Sequence, residues 1–209
     1  MVFDFGVGPN GVTTASWQGN QGQSHTYTAS GLSITASAFG PSLSGHADQL
    51  YGKHGSGDEK GLGMTNDPSG EDEIYYQKGF VQLDLNALVG HVLAGSEYLS
   101  FDSTTQNEQW TIYGSNTAGV LGSAVLPTTK TFISSGGAES TLVQLTGGYR
   151  YYDVISSASM GGKNVLIKSL TVTATPEPST WAMMMLGVFA LGGTLRMKRR
   201  DIAALRVRA

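Results

Sequence analysis

The chain contains no cysteine in its 209 residues, and few of its side chains are charged. The lack of cysteine excludes a disulfide scaffold, thiolate zinc sites, iron–sulfur clusters and a cysteine nucleophile. Only 14% of the residues are charged, with 13 Lys and Arg against 16 Asp and Glu. Because binding to nucleic acid needs a dense basic surface, this composition excludes a nucleic-acid partner.

The charges are distributed unevenly along the chain. Residues 1–176 carry 7 basic and 14 acidic side chains, a net charge of −7. Residues 177–209 carry 6 basic and 2 acidic side chains, a net charge of +4. An acidic body therefore precedes a basic tail, which indicates that the two parts work in different surroundings.

The tail contains a run of fifteen uncharged residues from Trp181 to Leu195. Basic side chains follow it at once, at Arg196, Lys198, Arg199 and Arg200. A helix of this length would span about 22 Å, less than the ~30 Å hydrocarbon core of a bilayer. We therefore expect a marginal membrane anchor, with the basic cluster on the cytoplasmic side and Trp181 at the opposite interface. The alternative is a buried C-terminal helix of the body.

Immediately before this run stands the segment Pro176-Glu177-Pro178-Ser-Thr-Trp181-Ala. Two prolines around one glutamate favour an extended segment, which a protease can bind. The order of a Pro-Glu-Pro segment, a short apolar helix and an Arg-rich end resembles the PEP-CTERM sorting signal of Gram-negative bacteria that make exopolysaccharide. The resemblance covers residues 174–200.

The resemblance implies an exported protein that is held briefly in the inner membrane and then reaches the cell surface or the extracellular space. It implies cutting or transfer by an exosortase, a membrane-embedded cysteine transpeptidase, with Pro176, Glu177 and Pro178 as the recognition motif. Residues 201–209 would form a basic extension beyond the sorting signal of residues 175–200. The segment Met1–Gly6 lacks the basic and apolar regions of a signal peptide, so we expect a true start further upstream.

Short alternating or apolar segments, separated by Gly, Ser and Asn, fill the body from residue 1 to 174. The predicted strands are Val2 to Phe5, Ser24 to Ser30, Leu32 to Phe39, Phe80 to Leu85, Tyr98 to Asp102, Gln109 to Tyr113, Lys130 to Ile133, Thr141 to Leu145, Tyr149 to Ser156 and Val165 to Ala174. Leu85 to Val89 is a short helical candidate. The pattern predicts an all-β fold, a jelly-roll-like two-sheet β-sandwich, followed by a single short C-terminal hydrophobic helix. Loose similarity to sandwich domains that precede PEP-CTERM tails supports this architecture only.

Six acidic side chains crowd into the Gly-rich segment between Gly55 and Glu73. Hard oxygen ligands in such a loop suit Ca²⁺, and the candidate ligands are Asp58, Asp67, Glu71, Asp72 and Glu73. Their spacing is that of no common calcium loop. A solvated loop is therefore the simpler interpretation, and a catalytic carboxylate pair is a third.

Aromatic side chains provide a binding hypothesis, because their rings can stack on the faces of sugars. The candidate ligand residues are Tyr75, Tyr76 and Trp110. Within a strand from Tyr149 to Ser156, Tyr149 and Tyr151 would share one face and Tyr152 the other. Part of the aromatic set must therefore pack in the core.

These observations favour a non-enzymatic protein that acts as a structural, adhesive or glycan-binding component of an exopolysaccharide matrix. No nucleophile elbow, phosphate-binding loop or His-Glu-x-x-His zinc motif occurs in the sequence. The alternative is a secreted glycan-active enzyme on the same fold. A cleft with two close carboxylates, one of them buried, would favour the enzyme.

Overall fold

The computed structural model describes residues 1–6, 18–41, 43–55, 59–102, 108–125, 130–131, 142–157, 164–175 and 182–191. The chain divides into two compact units, Met1–Ala174 and Thr175–Ala209. The described residues of the first unit are almost entirely strand, turn and loop, whereas those of the second form a short helix.

The described part of the first unit forms fifteen strands, and all their pairings are antiparallel. In chain order they are β1 (Val2–Asp4), β2 (Gly19–Gly22), β3 (Ser24–Ala29), β4 (Leu32–Phe39), β5 (Leu50–His54), β6 (Lys60–Met64), β7 (Ile74–Tyr75), β8 (Phe80–Asp84), β9 (Tyr98–Asp102), β10 (Gln109–Ser115), β11 (Ser123–Ala124), β12 (Lys130–Thr131), β13 (Val143–Gln144), β14 (Tyr151–Ser156) and β15 (Asn164–Thr171). A single 3₁₀ turn, Asn86–Leu88, follows β8 in this part of the chain.

The strands form two sheets. The first sheet has the order β13-β9-β15-β6-β5-β2, and both β1 and β7 also pair with β15. The second has the order β11-β10-β14-β8-β4-β3, with β12 on β10. Strand β15 is therefore the centre of the first sheet, and its pairing with β1 brings the start of the chain to the end of the body.

One hydrophobic core contains side chains from both sheets. Ile34, Ala36 and Ala38 are the buried residues of β4, and the residues between them are partly exposed, as the alternation of that strand predicts. Phe101 of the first sheet stacks on Trp110 of the second, with ring centroids 4.5 Å apart. The predicted two-sheet β-sandwich is thus confirmed.

The structure corrects several predicted boundaries. The last predicted strand begins at Asn164 and ends at Thr171, and the predicted strand from Tyr149 begins only at Tyr151. The helical candidate Leu85 to Val89 is only the short 3₁₀ turn. Of the predicted strand from Lys130 to Ile133, the last two residues lie outside the described residues.

The second unit contains an α-helix at residues 182–191, which agrees with the predicted short C-terminal helix. Large apolar side chains of this helix are exposed, among them Met183 at 70% and Phe189 at 74%. No helix in the described part of the chain has both the length and the apolar character needed to cross a membrane.

Candidate functional site

The second half of the acidic segment, from Asp67 to Glu73, is a folded loop between β6 and β7, and Asp67 organises it. One oxygen of the Asp67 carboxylate accepts hydrogen bonds from the backbone N–H and the hydroxyl of Ser69, at 2.8 and 2.6 Å. The other oxygen accepts from the Glu73 N–H at 3.2 Å and from the Asn164 side-chain amide at 3.5 Å. Asp67 therefore joins the loop to the first residue of β15.

Lys53 brings three of the glutamates together. Its ammonium group, on β5, forms ion pairs with Glu59, Glu71 and Glu73, the one to Glu71 at 3.4 Å. Carboxylate oxygens of these three residues lie within 4.8 Å of one another. The Lys53 side chain is 12% exposed and that of Glu73 only 1%. We call these four residues the Lys53 cluster.

Burial and pairing shift the pKa values of this cluster. Burial opposes the charge on Lys53, but hydrogen bonds to Glu59 and Glu73 outweigh it and raise the pKa of the ammonium group. Burial raises the pKa of Glu73 to about 8, against the lowering effect of Lys53. Burial raises the pKa of Asp72, and the negative charge of Asp67 adds to this effect. Glu73 therefore holds a proton more tightly than an exposed glutamate does, and Lys53 is the group that favours its charged form.

A calcium site among the predicted ligands stays a prediction. Glu71 and Glu73 meet in the Lys53 cluster, whereas the carboxylate of Asp67 accepts hydrogen bonds from its own loop and from Asn164. Asp58 lies outside the described residues. The positive charge that a calcium ion would supply is already provided by Lys53, so a bound ion would have to compete with the ammonium group.

Two residues of this cluster were not among the predicted ligands. Glu59 lies in the same acidic segment of the sequence and could have been found there. Lys53 carries no such indication, because only the antiparallel pairing of β5 with β6 brings it to that segment.

The aromatic candidates have different environments. Trp110 is 3% exposed and stacks on Phe101 inside the core. Its ring therefore stabilises the sandwich, which corrects the expectation that it offers a face to a ligand. Tyr75 and Tyr76 are half-buried, and the Tyr76 hydroxyl accepts a hydrogen bond from the Gln77 amide at 3.0 Å.

The sorting motif and the ends of the apolar run lie outside the described residues. These residues are Pro176, Glu177, Pro178, Trp181, Leu195, Arg196, Lys198, Arg199 and Arg200. The helix at residues 182–191 occupies the middle of the run. A family model described as the PEP-CTERM protein-sorting motif matches residues 174–200. The tail therefore contains a PEP-CTERM sorting motif.

The match covers the tail and does not include the sandwich body. Comparisons with curated proteins and with solved structures gave no match. A PEP-CTERM motif identifies an exported protein that is processed by an exosortase at its C-terminal sorting signal. For the sandwich body, the chemistry has to be inferred from its own residues.

Proposed function

We propose that this PEP-CTERM protein is a non-enzymatic component of the exopolysaccharide matrix, with a structural, adhesive or glycan-binding role. The apolar tail would hold the chain transiently in the inner membrane until an exosortase acts at the Pro-Glu-Pro motif. The body would then be retained at the cell surface or released into the matrix. The match of the sorting motif to residues 174–200 carries this proposal.

The division of the chain supports a disposable tail. The buried hydrophobic core runs from Phe3 to Val172, within the unit Met1–Ala174. Processing after residue 174 therefore removes none of the described core. A sandwich that carries its own core can do its work after the sorting signal has gone.

Surface retention tests the sorting step. The full chain, behind an export signal, is expressed in a host that has an exosortase and compared with a variant that lacks residues 176–209. We expect the deletion variant to lose surface retention and to accumulate in the medium. Pro178→Ala should weaken retention, whereas Pro127→Ala, a proline outside the motif, should leave it unchanged. Equal retention of all four proteins would exclude the proposed sorting.

A glycan-active enzyme is the second candidate, and the Lys53 cluster favours it. Glu59 and Glu73 are two close carboxylates, and Glu73 is buried with a pKa raised to about 8, as a general acid needs. Against this function, Lys53 contacts both carboxylates. Release of reducing ends from polysaccharide, abolished by Glu73→Gln but not by Asp4→Asn, at an exposed carboxylate outside the cluster, would establish the enzyme and overturn the non-enzymatic role.

A further inference from the structure

A groove of about 490 Å³ lies between the connection from β8 to β9 and the connection from β13 to β14. The lining includes the buried side chains of Leu85, Leu88 and Tyr152, which we take as its floor. Val89, which is 74% exposed, lies at its rim. We call it the Tyr149 groove, after the half-buried tyrosine that also lines it. Its volume is within the range of small-molecule sites.

Hydrogen bonds hold the two walls of the groove together. The Leu145 N–H donates to the carbonyl oxygen of Glu97 at 2.8 Å. The side-chain amide of Gln144 donates to the carbonyl oxygen of Gly95 at 2.5 Å. Because these bonds join one connection to the other, the groove is formed without a ligand.

The position of Tyr149 is also determined by its surroundings. Its backbone N–H donates to the Tyr152 hydroxyl at 3.3 Å, and that hydroxyl donates to the carbonyl oxygen of Thr146 at 3.1 Å. A Cβ atom on Gly114 or on Gly147 would overlap the Tyr149 ring. Two glycines thus leave the space that the ring occupies, and the ring packs edge-to-face against Tyr152, with centroids 6.2 Å apart.

The lining suits an uncharged amphipathic ligand. Apolar side chains and an aromatic ring favour the C–H face of a sugar, whereas the Glu97 carboxylate is an acceptor for hydroxyl groups. Burial raises the pKa of Tyr152, and the charge of Glu97, which lines the groove, contributes to the same shift. An anionic sugar would be repelled by this carboxylate and by a body of net charge −7.

The groove adjoins the last residues of the body. Val92, which lines it, pairs with Ala174, and the N–H of the neighbouring Leu93 donates to the carbonyl oxygen of Thr173 at 2.9 Å. The sorting motif follows directly in the sequence. A ligand in the groove would therefore lie beside the end of the processed body.

We propose that the Tyr149 groove binds an uncharged sugar residue of a matrix polysaccharide, with its ring on Tyr149 and its hydroxyl groups hydrogen-bonded to Glu97. This inference rests on the proposed matrix function and supplies the site and the class of ligand for it. It assigns binding to residues other than Tyr75, Tyr76 and Trp110.

Binding is tested by calorimetry with the full chain in mild detergent. The probes are neutral hexasaccharides of glucose, galactose, mannose and N-acetylglucosamine, and an alginate hexamer represents anionic sugars. We expect at least one neutral probe to bind and alginate to bind at least about tenfold more weakly. Tyr149→Ala and Val89→Glu should each lower the affinity for the neutral probe about tenfold or more.

Val120→Glu is the matched control for Val89→Glu, because Val120 is also exposed, at 49%, and does not line the groove. The affinity of the Val120→Glu variant for the neutral probe should stay within about twofold of that of the wild type. Binding of no neutral probe, tighter binding of alginate, or equal losses in both glutamate variants would overturn the proposal. These outcomes are separate from surface retention, which tests the sorting step of the proposed function without any added glycan.

Discussion

Lys53 turns part of an acidic segment into a cluster of ion pairs. Glu71 and Glu73, which suggest a metal site in the sequence, surround one ammonium group together with Glu59 in the structure. Glu73 is almost inaccessible to water, so its environment depends on Lys53 rather than on solvent. Removing one partner of a buried ion pair costs more than the pair contributes, because a charge is left without compensation.

The Lys53→Met variant tests this role, since methionine keeps most of the side-chain length. We expect the free energy of unfolding at pH 7 to fall by about 3 kcal/mol, measured by urea denaturation. The loss should be larger at pH 9 than at pH 7, because Glu73, whose pKa is raised to about 8, gives up its proton over that range and then depends on Lys53 to balance its charge. The control Lys78→Met, at an exposed position, should change stability by less than about 0.5 kcal/mol. A loss no greater than that of the control would show that the cluster contributes little.

The same variant tests the calcium prediction. If Lys53 holds the place that an ion would take, adding calcium should raise the melting temperature of Lys53→Met more than that of the wild type. Differential scanning calorimetry with calcium and with a chelator measures both shifts. Equal shifts in the two proteins would place any calcium binding away from the Lys53 cluster.

Asp153 is the second buried carboxyl group with a shifted pKa. It is fully buried on β14 and accepts hydrogen bonds from the Gln82 amide at 2.7 Å and from the Gly122 N–H at 3.2 Å. Burial raises its pKa to about 6, from 3.8. The folded protein therefore binds this proton more tightly than the unfolded chain does, and stability is lost as the pH rises through 6.

The Asp153→Asn variant should lack this pH dependence. Between pH 4 and pH 7 the wild type should lose up to about 3 kcal/mol relative to the variant, measured by urea unfolding across that range. Asp84 provides the opposite case. Burial raises its pKa, but the guanidinium group of Arg150 outweighs this and lowers it, so its contribution is lost as the pH falls. If the stability of the wild type and that of Asp153→Asn changed with pH in parallel, the raised pKa of Asp153 would be contradicted.

At the scale of elements, strands with regular alternation could be predicted and glycine-rich strands could not. The predicted bounds of β4 and β9 are the observed ones, because apolar side chains mark both strands clearly. Strand β6 contains Gly61 and Gly63, and such strands lack the side chains on which prediction depends. Gly63 has no room for a side chain, because a Cβ atom at this position would overlap the backbone of Asp72 in the following loop.

Gly63→Ala tests whether this close approach determines the geometry of the loop from β6 to β7. We expect a loss of about 2 kcal/mol in the free energy of unfolding, because backbone atoms cannot move aside as a flexible side chain can. Gly187→Ala is the control, since a Cβ there meets nothing within 4 Å. Chemical denaturation of both variants gives the comparison, and a Gly63→Ala protein as stable as the control would mean that the loop adapts freely.

The candidate sites also differ in whether their residues are continuous in the sequence or are brought together only by the fold. The sorting motif is continuous in the sequence, so residues 174–200 could be recognised without a fold. The Lys53 cluster joins residues 20 positions apart, and the Tyr149 groove joins two connections that meet only in the sandwich. Tyr149 was predicted to share a face with Tyr151, but it precedes β14 and turns to pack against Tyr152.

At the scale of the whole molecule, the charge distribution, the compact units and the family match all separate an N-terminal body from a C-terminal tail. The acidic body contains the core, and the basic tail contains most of the residues that match the PEP-CTERM motif. The absence of cysteine fits an exported body whose stability depends on sandwich packing and buried ion pairs. Export and processing come first, and the chemistry of the body is relevant only after they have occurred.

The most direct measurement is the mass of the C-terminal peptide of the surface-retained protein, by mass spectrometry after proteolysis of the body. Exosortase processing predicts a peptide that ends within or close to Pro176–Pro178, with or without an added group, and no peptide from residues 182–209. In a host without an exosortase, the full tail should remain. Recovery of the complete tail from the surface-retained protein, in a host with an active exosortase, would contradict the account.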